Sequence, residues 1–329
     1  MASGGTIDRV DGLLAERRFE EAARLLFAAA GSGETAAIRE LAHWRIAGNL
    51  IRRDLAEARR LFGLAGGRGD DQSALLHSAF LAGAVGGPDD WPGALASLRA
   101  LAKREARAAA QLRLIEAMDL GADGFPKRPI EPRRLSEAPY AASAPAFLTE
   151  AECDYLKAAA EPALQPSVVV DPVSRRMVPH PVRKSEGAVF GVLAEDLVVN
   201  AINRRIAALS GTRTDQGEPL QLLRYRPGGE YKPHMDALPA EPNQRVLTVL
   251  VYLSDDYEGG ETAFPNCGLS FRGRTGEALL FRNSGADGRP DPLSLHAGLP
   301  VTRGAKYLAS RWIRAEKFTY PAPRPILDL

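Results

Sequence analysis

Residues 221–236 read QLLRYRPGGEYKPHMD, and residues 296–312 read HAGLPVTRGAKYLASRW. In a β-strand, side chains two residues apart point to the same face, so His234 and Asp236 can present an imidazole and a carboxylate to one cavity. His296, distant in sequence, can complete the set. Two histidines and one carboxylate on one face of an octahedral ion leave the opposite positions open. Such an arrangement suits non-haem Fe(II) that activates oxygen.

Outward from these stretches, the residues past Pro166 repeat a strand-and-turn pattern. SVVVDP, GAVFGVL, QLLRYRP, RVLTVLVYLSDD, GEALLFRN and AKYLASRWI are each bounded by Gly, Pro, Asn or Asp clusters. EDLVVNAINRRIAALSG has helical spacing instead and stops at Gly211. Upstream, Thr149 and Glu152 form a capping box for a helix through Ala160, with Phe147 as an outer apolar anchor and Cys153 buried within it. Short antiparallel strands behind two or three helices predict an α+β domain built on a double-sheet jelly roll, whose mouth is a common ligand site.

The first third differs. From Ile7 to about Leu120 it is rich in Ala, Leu, Arg and Glu at amphipathic helical spacing. Ala22, Ala58 and Ala94 recur at one interval, as do Leu26, Phe62 and Leu98, while Ala29 and Ala65 fall in phase with Leu101. The period is about 36 residues, within the range of helix-pair solenoids. Breaks at Gly31–Gly33, Gly66–Gly69 and Gly83–Pro88 separate the helices. His43 and His77 read as packing or surface residues. The expected organisation is a helical repeat domain over 1–120, a Pro-rich linker over 121–145, a catalytic domain over 146–318 and a tail over 319–329. The basic PKRPIEPRR piece reads as solvated linker.

Composition narrows the function. With 42 Lys and Arg against 41 Asp and Glu, the chain presents no polyelectrolyte surface overall, which argues against nucleic acid and anionic membranes as partners. The two cysteines, Cys153 and Cys267, have no CxxC partner, so a disulfide framework and a cysteine zinc site are unexpected and a reducing cytoplasm is expected. Neither a signal peptide nor a membrane span is visible.

Two resemblances sharpen these readings. AHWRIAGNLIRRDLAEARRLFGLAGGRGD, residues 42–70, resembles a Sel1-like repeat, a relative of the tetratricopeptide repeat. It departs from that pattern where a tyrosine is usual, and the next copy is interrupted by GGPDDWPG. That resemblance implies a concave scaffold that recruits a peptide or protein substrate; a helical cap that stabilises the second domain is the alternative.

The segment 221–236, followed in order by NQRVLTVLVYLSDDYEGGETAFP and HAGLPVTRGAKYLASRW, resembles the iron-binding region of prolyl 4-hydroxylases of the Fe(II)/2-oxoglutarate dioxygenase superfamily, over about 144–318. It implies the double-stranded β-helix fold, Fe(II), 2-oxoglutarate and O2, with ascorbate as a further small molecule. His234, Asp236 and His296 are then the metal ligands, and Lys306 anchors 2-oxoglutarate. Tyr225 and Thr262 occupy places from which family members hydrogen-bond 2-oxoglutarate, and Tyr252 is a further candidate or a core residue. Tyr231, Arg245 and Trp312 match positions that shape the peptide-proline site. His180 is expected on a loop over the cavity mouth, and Gly228, Gly229, Gly259 and Gly260 in turns. The implied reaction is hydroxylation of a C–H bond, at C4 of a proline in a peptide or protein, coupled to decarboxylation of 2-oxoglutarate to succinate. Another side chain, a free amino acid or a non-catalytic interaction scaffold are the alternatives.

Overall fold

The computed structural model describes residues 5–170, 177–179, 182–285 and 287–329; His180 lies outside them. Two compact units emerge, one of Met1–Gly124 with Glu195–Ala201 and Thr319–Leu329, the other of Phe125–Ala194 with Ile202–Phe318.

The first unit contains α1 (Thr6–Ala15), α2 (Phe19–Gly31), α3 (Thr35–Ala47), α4 (Leu55–Gly67), α5 (Asp71–Ala82), α6 (Trp91–Leu101) and α7 (Ala106–Ala117). α2, α4 and α6 start 36 residues apart, at Phe19, Leu55 and Trp91. Ala22, Ala58, Ala94, Leu26, Phe62 and Leu98, the residues that carried the sequence period, are all 0% exposed. Two of these three helices carry matching caps: Asp54 accepts from the Glu57 amide and Asp90 from the Gly93 amide, each at 2.9 Å, satisfying donors that a helix start leaves unpaired. GGPDDWPG is therefore the start signal of α6 and no interruption of the repeat. Gly86 sits there at φ +68°, and a Cβ would stand 2.0 Å from the Leu55 carbonyl oxygen, so no side chain fits. His43 packs edge-on to Phe62 at 5.3 Å, and burial pushes both His43 and His77 below the usual histidine range, as packing residues require. The expected tail is part of this unit, because Ile326 and Leu327 donate to the Asn49 and Leu50 carbonyls at 2.9 and 2.8 Å.

In the second unit the chain runs through β1 (Arg133–Glu137), β2 (Tyr140–Ala144), α8 (Glu150–Ala160), β3 (Gln165–Pro166), β4 (Val168–Val170), β5 (Met177–Pro179), β6 (Arg183–Lys184), β7 (Glu186–Val189) and α9 (Leu197–Ser210). It continues through β8 (Gln221–Tyr225), β9 (Glu230–His234), β10 (Arg245–Tyr252), β11 (Glu258–Gly259), β12 (Thr262–Phe264), β13 (Leu269–Phe271), β14 (Ala278–Arg282), β15 (His296–Gly298), β16 (Val301–Arg303) and β17 (Lys306–Arg314). An eight-stranded sheet in the order β1-β2-β14-β10-β17-β8-β7-β3 and a five-stranded sheet in the order β13-β12-β15-β9-β6 form the double-stranded β-helix, or jelly roll. The capping box is present, with Thr149 Oγ1 accepting from the Glu152 amide at 3.2 Å and the Thr149 amide donating back at 2.8 Å.

The stretch expected to be linker is corrected here. Tyr140–Ala144 pairs with Ala278–Phe281 and brings the β1 hairpin onto the large sheet. The prolines that suggested a linker flank these strands, where missing amide donors break no ladder.

Candidate functional site

Antiparallel pairing builds the site. β15 and β9 place His296 opposite His234, and β17 and β8 place Lys306 opposite Tyr225. Four alternate residues of β17, namely Lys306, Leu308, Ser310 and Trp312, line one cavity, as period two requires. The cavity measures about 430 Å³, part of it open to solvent, and also takes Arg183, Tyr225, Tyr231, His234, Asp236 and Thr262 into its wall.

Asp236 departs from the expected strand geometry. β9 ends at His234, and Asp236 lies in the bend that follows. Its carboxylate still meets the imidazoles: Oδ1 is 3.6 Å from His234 Nε2 and Oδ2 is 3.6 Å from His296 Nε2. The ligating atoms of all three residues lie within 4.8 Å of one another. His234 Nδ1 is 2.8 Å from the Lys232 carbonyl and His296 Nδ1 is 3.0 Å from the Ser294 carbonyl. A carbonyl only accepts, so each Nδ1 carries the proton and each Nε2 turns a lone pair toward Asp236.

Electrostatics keep the trio ready for a cation. Burial, with the neighbouring His296, pushes His234 down to about 4, so its ring is neutral at pH 7. For Asp236, burial opposes ionisation, but the facing His296 and His234 and the Thr248 hydroxyl outweigh it and hold the carboxyl below its usual range. Two imidazole nitrogens and one carboxylate oxygen are the donor set that Fe(II) takes.

Lys306 is 3% exposed and donates to the Gly260 carbonyl at 2.7 Å. Among the described residues it makes no ion pair, and burial lowers it to about 7, opposed by the charge of Glu261. The Tyr225 and Tyr252 rings flank its ammonium at 5.6 and 5.2 Å. A buried ammonium facing a cavity, with no carboxylate among the described residues in contact with it, is a place for an incoming carboxylate. Gly260 sits at φ +68°, a conformation that side chains rarely adopt, and an added Cβ would stand 3.3 Å from Lys306 Cδ.

The other expected residues divide. Tyr225, Thr262, Tyr231 and Trp312 line the cavity. Tyr231 lies flat on the His234 ring, with centroids 3.5 Å apart and planes 15° from parallel. Tyr252 does not line it: its fully buried hydroxyl meets Thr262 Oγ1 at 2.7 Å, so it acts on the cavity through Thr262. Arg245 is also absent from the wall. Its guanidinium is held by Glu218 at 2.6 and 2.8 Å and lies 3.9 Å over the Trp312 ring, which makes it a support for that tryptophan. Sequence reading missed Arg183, whose signal was only its place in a short β-pattern before QLLRYRP.

Comparison with known proteins agrees with this site. Residues 220–314 match the family described as the 2OG-Fe(II) oxygenase superfamily. The chain is 39% identical over 204 residues to Prolyl 4-hydroxylase 1 of Arabidopsis thaliana, covering 56% of this chain and 72% of that protein. The chain belongs to the prolyl 4-hydroxylase family. A second relative, Probable prolyl 4-hydroxylase 3 of the same plant, is 38% identical over 196 residues and is covered over 68% of its length. Among solved structures, the viral collagen prolyl hydroxylase of Paramecium Bursaria Chlorella virus-1 in its 2OG complex is 30% identical, with a TM-score of 0.44, covering 54% of this chain and 96% of that one. Enzymes of this superfamily use Fe(II), 2-oxoglutarate and O2, and the donor set and Lys306 fit that requirement. Among the described residues, no helix is long and apolar enough to cross a membrane.

Proposed function

We propose that the second unit hydroxylates C4 of a proline in a peptide or protein while 2-oxoglutarate is converted to succinate and carbon dioxide. In this reading His234, Asp236 and His296 hold the iron, and Lys306 takes the distal carboxylate of 2-oxoglutarate. The supporting observation is that one cavity carries both the His234, Asp236 and His296 trio and a buried ammonium that makes no ion pair among the described residues. Iron bound there with 2-oxoglutarate and O2 supplies the oxidising power that replaces a C–H hydrogen by hydroxyl.

The chain's own residues bind, orient and exclude water. The Lys306 ammonium and the Thr262 and Tyr225 hydroxyls donate to the carboxylate of the cosubstrate. Tyr252 supports Thr262 by the hydroxyl contact at 2.7 Å. Leu250 and Leu308 provide apolar wall, which keeps water from competing for these contacts. Tyr231 and Trp312 offer aromatic faces for a pyrrolidine ring, and Arg183 offers donors for a peptide carbonyl.

The helical unit, read as Sel1-like repeats, recruits the protein that carries the target proline. Its 36-residue periodicity supports the repeat assignment. A reducing, cytoplasmic setting suits the two free cysteines, Cys153 and Cys267. Ascorbate belongs to the same reading and is tested by omitting it from the assay. Incubation with proline-rich peptides, Fe(II), 2-oxoglutarate and oxygen should yield succinate and peptide heavier by one oxygen on proline. His234→Ala should abolish both without unfolding the chain, and turnover by that variant would defeat the assignment.

A further inference from the structure

Behind the metal trio lies a chain of buried polar groups that the reaction itself does not use. Thr248 stands on the central strand β10, in the otherwise apolar run VLTVLVY, and is 0% exposed. Its hydroxyl donates to Asp236 Oδ2 at 2.7 Å. Asn283, also 0% exposed, donates its side-chain amide to Thr248 Oγ1 at 2.8 Å. The direction of these bonds matters. Because Asn283 donates to the Thr248 oxygen, the threonine proton is left to point at Asp236, which accepts it.

Asn283 also reaches the second histidine. Its backbone carbonyl accepts from the Asp291 amide at 3.0 Å and from Ser294 Oγ at 3.3 Å, which fixes the loop that leads into β15. The Ser294 carbonyl in turn takes the Nδ1 proton of His296 at 3.0 Å. The Asn283 amide itself donates to the Val246 carbonyl at 2.9 Å, tying this corner to the start of β10. One residue therefore sits between the carboxylate ligand and the histidine ligand that come from separate parts of the chain.

We infer that Asn283, whose side chain acts through Thr248, is a positioning residue that sets the orientation of Asp236 for the metal. The inference rests on the three-ligand reading of the site. Asp236 needs this support more than its partners do, since it lies past the end of β9 and no strand ladder fixes it. A donor directed at one carboxylate oxygen holds the plane of the group and leaves the other oxygen for the cation. Buried partners of metal ligands commonly control affinity by 10- to 100-fold.

The test measures Co(II) binding to the full chain by calorimetry and by the visible spectrum of bound Co(II), with no cosubstrate and no turnover. Thr248→Val and Asn283→Leu keep volume and remove one link each. Each should weaken Co(II) binding by about 10- to 100-fold and alter the spectrum, while circular dichroism retains the native form. Thr248→Ser, which keeps the hydroxyl, should stay within about threefold of the native affinity. The links act in series, so the double variant should be little weaker than the worse single variant. Native affinity and spectrum in both single variants, or losses that multiply in the double variant, would overturn the inference. If Asn283→Leu does not fold, the contrast between Thr248→Val and Thr248→Ser decides. If the native chain binds no Co(II), or binds it equally as His234→Ala, the three-ligand reading itself fails, which is a different result.

Discussion

Raising the pH should weaken 2-oxoglutarate binding, and the slope is set by Lys306. Its ammonium is 3% exposed, has one carbonyl partner at 2.7 Å, and is lowered by burial to about 7 in the absence of cosubstrate. Burial raises the flanking Tyr225 and Tyr252 phenols above their usual value, away from this pH range. A dicarboxylate binds the protonated lysine and holds its proton, so the apparent Kd grows as one plus ten to the power of pH minus pKa. That factor is about 1.1 at pH 6, about 2 at pH 7 and about 11 at pH 8, a tenfold loss, or about 1.4 kcal/mol, across two pH units. The sign is fixed by the shift: a lysine lowered when the site is free is restored by the ligand, so binding takes up a proton above pH 7. At pH 8 the uptake approaches about 0.9 proton per site. Calorimetry of 2-oxoglutarate into Mn(II)-loaded protein, in two buffers of different ionisation enthalpy, reads both quantities. A Kd that is flat from pH 6 to 8.5, with no proton uptake, would refute the pairing of Lys306 with the cosubstrate.

Other perturbations separate residues that touch the cavity from residues that support it. Lys306→Ala should raise the 2-oxoglutarate requirement by at least about 100-fold while changing Mn(II) affinity by less than about threefold, because a charge-assisted contact is lost and no ligand is; equal effects on both would remove its assigned role. Thr262→Val should raise the KM for 2-oxoglutarate by about fivefold to tenfold, and Tyr252→Phe by less, since one removes a direct hydrogen bond and the other only its support. Glu218→Ala leaves Arg245 and Arg314, with side chains 16% and 11% exposed, without their shared carboxylate. It should cost about 3 to 5 kcal/mol in urea denaturation, and a loss under about 1 kcal/mol would show that cluster to be dispensable. Gly86→Ala forces a Cβ to within 2.0 Å of the Leu55 oxygen and should lower the melting temperature of the helical unit; an unchanged melting temperature would contradict the local backbone.

The parts of the fold that local chemistry dictates were legible in the residues. Periodicity at 36 residues marked the buried Ala58, Phe62 and Leu98, and the Thr149 and Glu152 pair marked the start of α8. The alternation in AKYLASRWI placed Lys306 and Trp312 on one face because strand geometry leaves no other choice. What depended on distant partners was not legible. Prolines made 121–145 read as linker, yet the pairing of Tyr140–Ala144 with β14 is decided by residues more than a hundred positions away. Arg245 looked like a substrate contact until Glu218 and Trp312 were seen to hold it. Likewise HxD suggested two residues on one strand, whereas Asp236 lies past the end of β9 and is placed by Thr248 of the other sheet. The one hint was a threonine in an apolar central strand, a buried hydroxyl that needed a partner.

The most direct test of the central claim uses heavy-isotope oxygen gas with the native chain, Fe(II), 2-oxoglutarate and a proline-rich peptide. The account predicts one labelled oxygen on a proline of the peptide and one in succinate, in equal amounts, with neither formed by His234→Ala. Succinate without hydroxylated peptide, label arriving from water, or product formed without His234 would contradict it.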